Sequence, residues 1–253
     1  MTDKQQPEKL IDFGYQQVPI EKKASLVASV FSSVAQKYDV MNDLMSMGVH
    51  RYWKQFALHM MDAKPGQKIL DVAAGTADIS RLAALYLKGE GEIYVTDINA
   101  AMLSVGRAKL IDAGLIENIF YTQADAEKIP FSAGFFDTVV IGFGLRNVTR
   151  KEDALRSFFR VLKPGGKLII LEFSKPILPI LSKAYDRYSF SILPWLGKVI
   201  VQDEASYRYL AESIRQHPDQ ETLKNKMEEA GFEECEYFNL TGGIVALHLG
   251  YKF

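Results

Sequence analysis

Between residues 68 and 173 the chain alternates short apolar runs with amphipathic stretches, a rhythm that few folds accommodate. Residues 69–73, 92–97, 119–124, 136–142 and 167–173 read as strands. Apolar residues recur at helical spacing between them, as Ile79, Leu82, Ala83 and Tyr86 after the first strand. Leu155, Phe158, Phe159 and Leu162 do the same after the fourth, and Gly114 ends the helix after the second. Strands separated by helices predict an α/β fold, a doubly wound and mostly parallel sheet with helices on both faces. Past residue 218 the order changes to a helix at 219–230 and two strands near 232–240 and 244–251. The short Thr241-Gly242-Gly243 turn between those strands predicts a closing antiparallel hairpin.

The flanks are less regular. Residues 1–20 read as a polar tail with one sticky piece, Phe13-Gly14-Tyr15, leaving 21–253 as a single domain. Val27, Val30, Phe31, Val34 and Tyr38 form the stripe of one amphipathic helix, and Trp53, Phe56, Ala57 and Met60 that of another. Residues 21–64 are thus expected to form a helical lid over the strands' carboxyl ends. Residues 174–218, rich in aromatics and interrupted by prolines, read as a helical insertion after the fifth strand. A net charge of -1 gives no pull toward nucleic acid, and the single cysteine excludes a disulfide framework. No signal peptide, membrane-spanning run or metal-ligand spacing is visible, so a cytoplasmic location is expected.

The chemistry concentrates at the strand ends. Residues 68–78 run from an apolar strand through small residues into a helix, a start that lets a cofactor approach backbone N–H groups. Gly75 is the permissive point of that turn, and Asp71 is expected to orient it through backbone N–H bonds. Asp97 ends the second strand, where a carboxylate can accept both hydroxyls of a ribose, and Asp125 ends the third, within reach of an adenine amino group. Acids at consecutive strand ends point to an adenosine site. A nicotinamide dinucleotide is opposed by the turn, which lacks the three glycines of its fingerprint.

Asp71-Val-Ala-Ala-Gly-Thr-Ala-Asp78, Asp125-Ala-Glu127 and Arg160-Val-Leu-Lys-Pro-Gly-Gly166 resemble class I S-adenosylmethionine-dependent methyltransferases. Residues 37–46, Phe143-Gly-Leu-Arg-Asn-Val148, residues 171–176 and residues 206–218 resemble, more narrowly, the ubiquinone/menaquinone biosynthesis C-methyltransferases. The resemblance implies a Rossmann-like methyltransferase sheet, S-adenosyl-L-methionine as cofactor, and methylation of a ring carbon of a polyprenylated benzoquinol or of demethylmenaquinol. Cofactor contacts carry over to Thr76, Asp97, Asp125, Ala126 and Gly142, the last a position where the family often has serine. Ala74 and Ala77 stand where it usually has glycine, and a methyl at Ala77 is expected to crowd the methionine part of the cofactor.

Arg146 and Asn147 follow the fourth strand at the rim where methyl transfer should occur. Arg146 is expected to hold its charge against a developing phenolate. In a purely structural role it would pair with Glu152 or Asp153. Asp39 is the candidate proton acceptor, with Tyr38 and Asn147 orienting the ring. A cofactor-binding scaffold of a quinone-synthesis assembly and a nicotinamide oxidoreductase are the alternatives. Loose contact with the inner face of the membrane is expected, through basic Lys175, Lys183, Arg187 and Lys198 and a prenyl groove lined by aromatics such as Tyr185 and Tyr188. A homodimer mate or other quinone-biosynthesis enzymes are the expected protein partners.

Overall fold

The computed structural model describes residues 10–35, 38–177, 179, 185, 187–188 and 204–253. Strands β3 (Lys68–Val72) and β6 (Phe136–Gly142) are buried along nearly their whole length, as apolar runs in a parallel sheet covered on both faces must be. The doubly wound, mostly parallel sheet expected from the sequence is the fold observed. With β4 (Glu92–Asp97), β5 (Ile119–Gln123), β7 (Leu162–Phe173), β8 (Glu233–Leu240) and β9 (Val245–Tyr251) they form one seven-stranded sheet ordered β5-β4-β3-β6-β7-β9-β8. Pairing is parallel from β5 through β7, while β9 runs antiparallel to both β7 and β8. The chain winds outward from β3 to β5 and then crosses to β6, so the switch point lies beside the carboxyl end of β3.

Helices α3 (His50–Met61), α4 (Asp78–Leu87) and α5 (Ala100–Asp112) contribute Trp53, Ala83 and Leu110 to the core on one face. Helices α6 (Lys151–Val161) and α8 (Gln220–Glu229) cover the other with Leu155, Phe158, Leu223 and Met227. The acids Glu152 and Asp153 in the first turn of α6 and Arg160 in its last suit the helix dipole. Helix α7 (Glu204–Gln216) adds Tyr207, Leu210 and Ile214 to the first core.

Four local expectations are corrected. The tail contains a hairpin, β1 (Leu10–Phe13) paired with β2 (Gln16–Pro19), whose turn has Gly14 at φ 57. Glycine first in a two-residue loop matches the twist of a hairpin. Phe13 stacks on Tyr209 at 4.4 Å, and the Tyr15 N–H donates to Glu212, so α7 anchors the hairpin. The long amphipathic stripe is divided, because α1 (Ile20–Val34) ends before Tyr38, which opens α2 (Tyr38–Ser46). Leu162 begins β7 and does not belong to α6, and the Pro164-Gly165-Gly166 turn lies inside that strand. The register against β6 shifts there, and Gly165 and Gly166 exchange hydrogen bonds with Lys252. Finally α3, expected in the lid, is a core helix, with Trp53, Ala57 and Met61 buried against the sheet.

Candidate active site

A cavity of about 360 Å3 opens at the switch point, a size common for small-molecule sites. Its floor combines Ala73 and Gly75 after β3 with Asp97 after β4 and Ala124, Asp125 and Ala126 after β5. Phe143, Gly144 and Asn147 after β6 form the rim. Ala24, Val27, Ala28 and Phe31 on the apolar side of α1 form the roof, so α1 is the part of the expected lid that covers the cavity.

Three residues of the floor turn, Ala73, Gly75 and Ala77, have φ between 50 and 60°. Asp97 fixes that turn. One of its oxygens accepts the Gly75 N–H at 2.9 Å and the other the Asn99 N–H at 2.8 Å. Burial pushes the Asp97 carboxyl up, and these backbone bonds oppose the shift. Asp71 was expected to hold the turn and does something different. Its Oδ2 reaches the first turn of α4, accepting from the N–H and hydroxyl of Ser80 at 3.0 and 2.6 Å. A side chain pointing along the strand meets the following helix, whereas Asp97 on the neighbouring strand faces the turn. Burial raises the Asp71 carboxyl to about 7.

Asp125 is exposed and caps the short helical turn that follows, accepting the Glu127 N–H. Ala126, beside it, is buried at the cavity wall. Thr76 is buried below the turn, its hydroxyl donating to Asp39 at 3.1 Å. Asp39 also pairs with Lys109 at 2.8 Å, and Lys109 with Asp78, which pairs in turn with Lys54. Although burial raises it, Lys54 and Lys109 hold the Asp78 carboxyl at about 2. Asp39 therefore belongs to a charge network joining α2, α3, α4 and α5, and it does not line the cavity. The Tyr38 side chain lies outside the described residues, as do Lys183, Phe190, Leu193, Trp195, Leu196 and Lys198 of the insertion.

The alanine at position 77 does not narrow the cavity. Ala77 is 0 % exposed and faces α5, where a Cβ added at Gly106 would lie 3.1 Å from its own Cβ. The expected crowding of the methionine part is thus corrected: that methyl points away. At Gly142 an added Cβ would meet only the end of the Ile79 side chain, which would have to turn aside.

At the rim, Asn147 accepts a hydrogen bond from the Tyr209 hydroxyl at 3.0 Å. Arg146 has neither of the carboxylate partners expected of a structural role, since Glu152 pairs with Lys226 and Asp153 with Arg150 and Arg156. Its guanidinium pairs instead with Glu172 of β7 at 2.9 Å, their side chains 2 and 1 % exposed. It also donates to the Phe143 carbonyl and lies over the Phe173 ring. The Arg146 N–H donates to Glu172 as well, so the ion pair fastens both the backbone and the side chain of Arg146. Arg146 faces a second, smaller cavity and not the larger one.

Asn99 had no sequence-level assignment. It caps α5 through the Ala101 and Met102 N–H groups, and its amide donates to Ala28 and Ser32 of α1, fastening the roof. Its place just ahead of the helix was the available signal.

Residues 18–252 match the ubiE/COQ5 methyltransferase family. The "Ubiquinone/menaquinone biosynthesis C-methyltransferase UbiE" of Coxiella burnetii (strain Dugway 5J108-111) is 58 % identical over 246 residues, 97 % of this chain and 98 % of that one. Its namesake from Stutzerimonas stutzeri (strain A1501) is 60 % identical over 240 residues, covering 95 and 94 %. Among solved structures, a possible histamine N-methyltransferase from Thermotoga maritima superposes with TM-score 0.62 at 18 % identity, covering 89 % of this chain and 99 % of that one. A methyltransferase from Aquifex aeolicus gives TM-score 0.59 at 17 % identity, covering 79 and 89 %. These two share the fold. The sequence matches span nearly the whole chain, and the chain belongs to the ubiE/COQ5 methyltransferase family.

Proposed function

We propose that this chain transfers a methyl group from S-adenosylmethionine to a ring carbon of a polyprenylated quinol of respiratory quinone biosynthesis. The substrate is 2-methoxy-6-polyprenyl-1,4-benzoquinol, demethylmenaquinol or both. The observation that carries the reading is the pair of carboxylates, Asp97 and Asp125, on one cavity at the ends of adjacent strands beside the Gly75 turn. The cavity fits a nucleoside in size and in its acceptors.

Asp97 holds the ribose hydroxyls: each oxygen already accepts one backbone N–H and retains a lone pair for another donor. Asp125 and Ala126 hold the adenine, and Gly75 and Thr76 lie along the turn at the methionine end. When bound, the cofactor supplies an electrophilic methyl on a sulfonium. Phe143 and the apolar face of α1 exclude water from that region, and Asn147, oriented by Tyr209, positions the ring. Arg146 acts by holding the rim loop that carries Asn147. Asp39 keeps α2 against the cofactor turn through Thr76. The prenyl tail of such a substrate lies in a bilayer, so the protein works at a membrane surface. No helix among the described residues is long and apolar enough to cross a membrane.

Mass spectrometry of chemically reduced quinone precursors, incubated with the protein and S-adenosylmethionine, should find a methylated product. Asp97→Ala should weaken the cofactor by about 1–3 kcal/mol, the worth of hydrogen bonds to a charged group. Calorimetric binding of NAD in place of S-adenosylmethionine would refute the cofactor, and tight cofactor binding without turnover of either quinol would leave only the scaffold.

A further inference from the structure

The smaller cavity has a chemistry of its own. It encloses about 80 Å3, and its wall includes Asp12, Lys23, Arg146, Lys151, Tyr209 and Ser213. These come from β1, α1, the rim loop, α6 and α7. Thr149 lies on the walls of both cavities, so the two adjoin.

Its charges do not balance among the described residues. Arg146 is matched by Glu172, but neither Lys23 nor Lys151 has a carboxylate partner there. The Lys151 Nζ reaches only the Val148 carbonyl, at 3.4 Å, and Lys23 is 5 % exposed. Of the acids nearby, Asp12 keeps its charge on the wall and, with Glu127, favours charged Lys23, while Glu172 and Glu152 favour charged Lys151. Glu127 pairs with Arg150, Glu172 with Arg146 and Glu152 with Lys226, so the wall keeps one positive charge in excess. His217, behind the same wall, is kept neutral by burial first, then by Lys151 and Arg146, and adds no negative charge. Burial lowers the pKa of Lys23, and burial together with the charge of Lys23 lowers that of Lys151 to about 8. Lys151 is also the first residue of α6, whose N-terminus has no side-chain cap.

Two ammonium groups brought together out of water require compensating negative charge. We propose that this cavity binds a small oxyanion, such as phosphate or sulfate, between Lys23 of α1 and Lys151 of α6. The space, about 80 Å3, is several times the roughly 10–15 Å3 that a single water needs. Each ammonium offers three donors. The bound ion ties α1, the roof of the larger cavity, to the rim beyond β6.

Calorimetry and thermal unfolding of the full-length protein in sodium phosphate, against sodium chloride at matched ionic strength, test the site. The wild type should show saturable binding and a matching rise in Tm. Lys23→Met and Lys151→Met should each weaken phosphate at least tenfold, and the double variant should lose the response. In chloride alone the double variant should melt no lower than the wild type, because two unpaired charges are gone. If the methionine variants do not fold, the glutamine variants and the wild-type calorimetry decide. Absence of saturable binding to the wild type overturns the proposal, as does a phosphate response that survives in the double variant. Displacement of phosphate by S-adenosylmethionine would put the ion in the larger cavity and also overturn it.

Discussion

Replacing Arg146 with alanine separates two readings of the rim. The structure makes its guanidinium the counter-charge of Glu172 in a pair that is almost wholly buried. After truncation the Glu172 carboxylate keeps only the N–H groups of residue 146 and Phe173. Removing one partner of a buried pair costs about 3–5 kcal/mol. At roughly 2–4 °C per kcal/mol for a chain of this size, Tm should fall by roughly 6–20 °C. Glu172→Gln should destabilise as well, by stranding the guanidinium. An apolar double variant, Arg146→Met with Glu172→Leu, should recover much of the loss, giving a coupling energy far larger than for a surface pair. Urea unfolding followed by tryptophan fluorescence is a suitable assay, because Trp53 is buried 6.0 Å from Phe143 and 6.1 Å from Phe173. A free charge directed at the substrate would behave differently: Arg146→Ala would then lower kcat with stability intact, and Glu172→Gln would leave kcat unchanged or raise it. Wild-type stability in Arg146→Ala, or additive losses in the double variant, would refute the argument from the ion pair.

Gly106→Ala would place a methyl 2.9 Å from the Gly75 carbonyl and 3.1 Å from the Ala77 Cβ, pushing the floor turn into the cavity. Calorimetry should show weaker S-adenosylmethionine binding for that variant, and Ala77→Gly on the same background should restore part of it. Alone, Ala77→Gly should change cofactor affinity little and stability by at most about 1 kcal/mol, since relief at φ 60° is partly offset by chain entropy. The pH dependence has two opposed contributions. Burial raises Asp71 from 3.8 to about 7, so stability falls as pH rises from 4 to 7, by about 4 kcal/mol. Burial lowers His248 from 6.5 to about 4, so stability falls as pH drops from 6.5 to 4, by about 3 kcal/mol. Urea titrations of Asp71→Asn should therefore show stability rising with pH through that window; a slope unchanged from wild type would remove Asp71 from the balance.

What the sequence made legible follows from local physics. Apolar runs that need cover on both faces appear as strands wherever they occur, and a carboxylate at a strand end is placed by the strand itself, as Asp97 and Asp125 show. Arg146 illustrates the limit. Its partner lies 26 residues away on the adjacent parallel strand, a pairing set by sheet register that no spacing along the chain expresses. The β1–β2 hairpin was hidden because it has little apolar alternation and is held by Tyr209 and Glu212 from the far end of the chain. The direction of the Ala77 methyl depends on a left-handed φ, which composition alone does not reveal.

The two ends of the larger cavity are held by different kinds of interaction, which bears on how the molecule works. The floor is bound from below: Asp97 holds the Gly75 turn, and Thr76 joins it to the network of Asp39, Lys109, Asp78 and Lys54. The Asp97 bond joins neighbouring strands of the sheet, and the charge network ties α2, α3, α4 and α5 together beneath the turn. The rim depends on contacts between distant parts of the chain, with Arg146 on Glu172, Asn147 on Tyr209 and Tyr209 on Phe13. A long-tailed substrate needs an entrance that opens, whereas a nucleoside site gains affinity from being formed in advance. The floor is preformed by Asp97, while the rim is completed by the hairpin and α7 through Phe13 and Tyr209.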